Sequence, residues 1–284
     1  MTMPLDPPAP LAPSGPDNPA GLTRASATAL SALGLLILAA WAALLLQAWR
    51  TPGEDAFLVA LCRPGLGAPS PGVAGFLADW GTTALLWVAM SLAMMLPTAV
   101  PMVLSYDAAA ARTGGRAPSL LWVAAGYGLV WLVVSLLAAL AQTAWVRLTA
   151  GAGLPPAVAT ILAGVAIGAA GLYQFSEWKL ACLAFCRHDV PPGTASLSRN
   201  GVFAVGIGQG LRCLGCCGAV MGMMLVAGLM NLFWMAGFAL LMTVEKLSTG
   251  VWAPRAIGVA LVALGLAVAV GGVGLKPILG WAFS

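Results

Sequence analysis

Long apolar runs, each near the ~20 residues a membrane-crossing helix needs, are separated along this chain by short polar stretches rich in Gly and Pro. The pattern predicts an all-α, polytopic transmembrane helix bundle. The first span is expected at residues 27–49 and the second at 81–104, where Pro97 and Pro101 fall inside the run and can kink it. The third covers 119–141, with a loop at 142–156. The fourth begins near Ala157 and is cleanly apolar to Gly171. It then turns polar through Tyr173-Gln174-Phe175-Ser176-Glu177-Trp178-Lys179, yet its helical pattern is expected to continue to Cys186, where Arg187, His188 and Pro191-Pro192 stop it. Residues 201–245 are long enough for two spans, and a tight turn is placed at 227–231. The last span is 256–274. About seven spans result, within a range of six to eight.

Composition agrees with that pattern. The chain is 61% hydrophobic and 8% charged with a mean hydropathy of +0.95, whereas soluble domains carry ~25% charged residues. The lipid bilayer is therefore the first expected partner, and a net charge of +4 gives no reason to expect nucleic acid. Residues 1–24 form a tail whose seven prolines (Pro4, Pro7, Pro8, Pro10, Pro13, Pro16 and Pro19) predict disorder. Without a basic start to this tail, the first span reads as a retained helix rather than a cleaved leader. Residues 25–284 are expected to form a single transmembrane domain. With a cytoplasmic N-terminus, the inner side collects Arg24, Arg112, Arg116, Lys179, Arg187, Arg199, Lys246 and Arg255. The outer side collects only Arg50, Arg63, Arg147 and Lys276, as the positive-inside rule requires.

The chemistry lies in the sulfurs. Drawn as a helix, Cys213, Cys216 and Cys217 share one face, and Met221 and Met224 extend the stripe. Cys182 and Cys186 are spaced i to i+4 with Lys179 on the same face of the fourth span. Met90 and Met94 share a face of the second span. Asn231, Met235, Phe238, Met242 and Glu245 make one stripe of the sixth. Thiol and thioether donors select soft metals, Cu(I) foremost and Zn(II) second. Thioethers outside, the CxxCC thiols near mid-membrane and a second thiol pair inside form a graded path for Cu(I). The alternative is that Cys and Met only pack the helices. Depth poses a problem: Cys182 and Cys213 differ by about half the membrane, so one shared site needs a broken helix. Gly206, Gly208 and Gly210 are the expected break; otherwise there are two sites.

Arg212 sits inside a span, where a charge is costly and faces the interior or a cavity. It is expected either to compensate thiolates or to pair with Glu245 or Glu177. Lys179 either does the same for Cys182 and Cys186 or snorkels to the surface. Glu177 lies opposite Cys182 on its helix, which suits an ion pair or a packing hydrogen bond. His188 reads as a solvated loop residue and Cys62 as unpaired. No nucleophile–base pair, phosphate loop or carboxylate pair within one span is present in the sequence, so no enzyme activity is expected.

The segments WVAMSLAMMLP (87–97), YQFSEWKLACLAFCR (173–187) and GLRCLGCC (210–217), with the run from Met221 to Lys246, resemble a bacterial family of predicted metal-binding integral membrane proteins. The resemblance covers residues 80–250, expected to be the metal-site core. It implies a multi-pass protein of the inner membrane. It carries over Met90, Met94, Met95, Lys179, Cys182, Cys186, Cys213, Cys216, Cys217, Asn231, Glu245 and Lys246 as site positions. Metal transport, delivery or tolerance is the expected role, with a metallochaperone or metalloenzyme as a possible partner. A membrane thiol–disulfide protein and a structural subunit remain as alternatives.

Overall fold

A computed structural model of the chain describes residues 24–49, 71–113, 120–150, 156–187, 193–227, 232–248 and 250–274. The expectations of a disordered tail, an unpaired Cys62, a loop His188 and a turn through Asn231 fall outside these residues. The described chain is all-helical: α1 (Arg24–Trp49), α2 (Gly72–Ala111), α3 (Leu120–Ala150), α4 (Pro156–Tyr173), α5 (Glu177–Arg187), a 3-10 turn (Thr194–Ser196), α6 (Arg199–Ala227), α7 (Leu232–Leu247) and α8 (Trp252–Gly274). Four helices are long and apolar enough to cross a membrane: Gly72–Ala111, Leu120–Leu148, Arg199–Leu225 and Trp252–Gly271. Two shorter apolar helices, Gly34–Leu46 and Thr160–Tyr173, accompany them. Outward faces carry large aliphatic side chains such as Leu85, Leu121, Leu137 and Leu266; so much exposed apolar surface suits lipid and not water.

Two helices outrun their expected spans. The second contains 40 residues, about 60 Å, and both Pro97 and Pro101 lie within it. The third continues past residue 141 to Ala150, because no breaker intervenes before Gly151 and Arg147 has partners to reach. Its guanidinium donates to Asp79 at 2.8 Å and lies 5.1 Å from the Phe76 ring centroid, tying α3 to α2.

The fourth expected span is two helices. The amides of Gln174, Phe175 and Ser176 bond to carbonyls three residues back, which tightens and ends α4. Ser176 Oγ then accepts the Lys179 amide at 3.1 Å, an N-cap that starts α5 on a new axis. Helical periodicity persists through this stretch, so hydrophobic pattern alone reads it as continuous.

Elsewhere the helices pack through small residues, as membrane helices do. α3 and α6 meet at Gly126 and Gly206, where a methyl group on Gly206 would overlap the Val123 carbonyl oxygen. The Gly206/Gly210 spacing is thus a packing seam. α4 and α8 meet at Gly164 and Gly265, and α1 lies against α2.

Candidate metal centre

The helical face of α6 gathers the thiols. The sulfurs of Cys213, Cys216 and Cys217 all lie within 4.8 Å of one another, and the three residues are 1–2% exposed. Cys216 Sγ is 3.3 Å from Cys217 Sγ and 3.2 Å from the Cys213 carbonyl oxygen. From α5, Cys186 Sγ approaches Cys216 Sγ to 3.7 Å.

Gly215 makes that approach possible. An ideal methyl at this position would stand 2.5 Å from Cys182 Sγ and 3.7 Å from the Trp178 indole nitrogen. The Tyr173 hydroxyl donates to the Gly215 carbonyl at 2.6 Å. Trp178, Cys182 and Cys186 span about 12 Å of α5, yet all fall on Gly215 and Cys216. The fifth helix is therefore seated on α6 at Gly215. This removes the depth difficulty. The break that joins the cysteines is at 174–176, between α4 and α5, and not at Gly206, Gly208 and Gly210: α6 runs unbroken from Arg199 to Ala227. Gly206 and Gly210 instead pack against α3, while Gly208 faces open space.

The charges are placed differently from what residue type alone implies. Lys246 Nζ donates to Cys213 Sγ at 3.2 Å, so an ammonium sits directly on this sulfur. Arg212 instead lays its guanidinium over the Phe185 ring, 4.6 Å from the centroid. Lys179 is 0% exposed and does not snorkel: Nζ donates to Glu245 Oε1 at 2.6 Å and also to Gln174 Oε1. Glu245 thus binds Lys179 and not Arg212. Glu177 is exposed in the first turn of α5, with no ion pair among the described residues. Asn231 lies outside the described residues.

Tyr127 is the group that sequence reading missed. Its hydroxyl donates to the Met95 carbonyl at 3.3 Å and lies 3.2 Å from Cys213 Sγ. A phenol in the middle of an apolar helix needs a partner when buried, and that is the signal by which it could have been found. Met90, Met94, Met221 and Met224 are all buried, within the same core cluster as the three cysteines.

A family model described as PpoB2, copper chaperone, matches residues 84–268. The chain belongs to this copper chaperone family. The matched stretch of the PpoB2-type chain contains all five described cysteines, Lys179, Glu245 and Lys246. No curated protein and no solved structure matches the chain. Three buried thiols and the family's description together point to a soft metal such as copper.

Proposed function

We propose that the protein holds Cu(I) in the membrane through Cys213, Cys216 and Cys217 and passes it to a partner, acting in copper delivery or tolerance. The close grouping of three buried thiols, with Lys246 on Cys213, carries this reading. Thiolates bind Cu(I) strongly, and a fixed ammonium offsets the negative charge they leave. Cys186 is placed to join the set when the ion leaves, and the partly exposed Cys182 and Cys186 lie on its way out. In this reading the orientation follows the lysine and arginine bias, N-terminus inside, in the bacterial inner membrane. Hand-over down a gradient of affinity needs no ATP hydrolysis.

Elemental mass spectrometry of protein purified anaerobically in detergent tests this, beside the Cys213→Ser/Cys216→Ser/Cys217→Ser variant. Near-stoichiometric copper, lost in the variant, is the expected outcome. Zinc in its place would keep the site and end the Cu(I) reading. A second reading, thiol–disulfide exchange, draws on the 3.7 Å Cys186–Cys216 approach. It predicts no bound metal and a reversible loss of two alkylatable thiols under a mild oxidant.

A further inference from the structure

Above the thiols the protein interior is rich in thioethers, set among Val220, Phe238 and the partly buried Leu225. Lys246 on Cys213 brings the C-terminal end of α7 to the middle of α6, and only four residues separate the other two ends, so the helices run antiparallel. At 1.5 Å per residue, Met242 then stands about level with Cys217, Phe238 with Met221, and Met235 with Met224. Tyr127, touching both Cys213 and the Met95 carbonyl, fixes α2. α2 runs antiparallel to α6, which puts Met90 roughly 7.5 Å beyond Met95, level with Cys217 and Met242. Levelled in this way, Met90 falls with Met242, and Met224 with Met235. All four are 0–3% exposed.

Packing alone does not explain this choice of residue. Leu and Met have similar volumes and substitute for one another in cores, so a core indifferent to sulfur would mix them. On α2, α6 and α7 no described Leu is fully buried: Leu86, Leu92, Leu214 and Leu225 pack against the core only in part, as Met102 does. Eight methionines (Met90, Met94, Met95, Met221, Met223, Met224, Met235 and Met242) are 0–3% exposed, while Leu85, Leu211, Leu240 and Leu247 on the same helices are 55–73% exposed. Beyond the Cys217 level of α6, and on α7 up to Met242, the buried side chains are Met, Val220 and Phe238, with no Leu among the described residues. The formal charges near this column lie at its two ends: Lys179, Glu245 and Lys246 by the thiols, and Asp79–Arg147 about 24 Å away along α2.

We infer that Met90/Met242 and Met224/Met235 form a column of transient Cu(I) sites leading from the C-terminal end of α6 to the thiols. This rests on the thiol site described above. Neutral thioethers bind Cu(I) without releasing a proton and leave its charge uncompensated, so each holds the ion less firmly than the thiolates beneath, and affinity rises along the path.

The test follows Cu(I), supplied as its bicinchoninate complex, into full-length protein in nanodiscs by stopped-flow thiolate-to-copper absorbance. Met90→Leu/Met242→Leu and Met224→Leu/Met235→Leu are expected to slow loading about tenfold or more while the final copper content stays at the wild-type value. Independently, the Cys213→Ser/Cys216→Ser/Cys217→Ser protein should retain a weaker Cu(I) site with sulfur neighbours in X-ray absorption, lost when Met90→Leu and Met242→Leu are added. Wild type that takes up no Cu(I) overturns the thiol site and the column together. Normal wild-type loading, with Leu variants equally fast or a thiol-free protein showing no sulfur-bound copper, overturns the column alone.

Discussion

Removing the ammonium of Lys246 tests the electrostatics of the centre most directly. At the 3.2 Å separation of Nζ and Cys213 Sγ, unit charges attract by about 5 kcal/mol at an effective dielectric of ~20. Lys246 is partly exposed, which makes that figure a ceiling. A hydrogen bond to a charged group contributes about 1.5–3 kcal/mol. Lys246→Gln should therefore weaken Cu(I) binding roughly 10- to 100-fold, because the thiolate stays and its counter-charge goes. Competition against bicinchoninate under anaerobic conditions reads this as a change in Kd. Lys246→Arg should recover much of the loss. Arg212→Gln should do less than Lys246→Gln, since its guanidinium rests on Phe185. Equal affinity in Lys246→Gln and wild type, or a larger effect from Arg212→Gln, would refute the assignment of Lys246 as the compensating charge.

Other consequences follow from the same packing. Lys179→Met takes the ammonium away from the buried Glu245 carboxylate, which should cost up to about 3–5 kcal/mol of stability; Lys179→Met/Glu245→Leu should recover most of it in a denaturation cycle, and simple additivity would count against the pair. Gly206→Ala must displace α3 from α6 and should destabilise by about 1–3 kcal/mol, whereas Gly208, with open space around it, should accept Ala without loss; equal unfolding midpoints would rule out the seam. Gly215→Ala pushes against Cys182 Sγ and should lift α5, raising the alkylation rate of Cys182 and Cys186 while leaving helix content unchanged. Ser176→Ala removes the cap of α5 at a cost of about 1 kcal/mol, measurable as a lower unfolding midpoint.

Much of the centre could be read from residue spacing. Cys213, Cys216 and Cys217 fall on one face of a helix by periodicity alone, and so do Met235, Phe238, Met242 and Glu245, all buried on α7. Which charge meets which group could not be read this way. Arg212 is a neighbour of Cys213 in sequence but points to Phe185, while Lys246, 33 residues away, reaches the thiol. Adjacent residues on a helix are rotated about 100° from one another, so closeness in sequence works against sharing a contact.

The amino-acid sequence by itself determined that the chain is helical, apolar enough for a bilayer, and in possession of a thiol triplet within one helix. These are local properties, set by composition and a period of 3.6 residues. Tertiary structure decided the seating of α5 on Gly215 that brings Cys186 to Cys216, and the positions of Tyr127 and Lys246 at Cys213. Each depends on where two helix axes approach. That is set by the small residues at the crossings and by buried polar partners supplied from distant helices, which no window along a single helix contains.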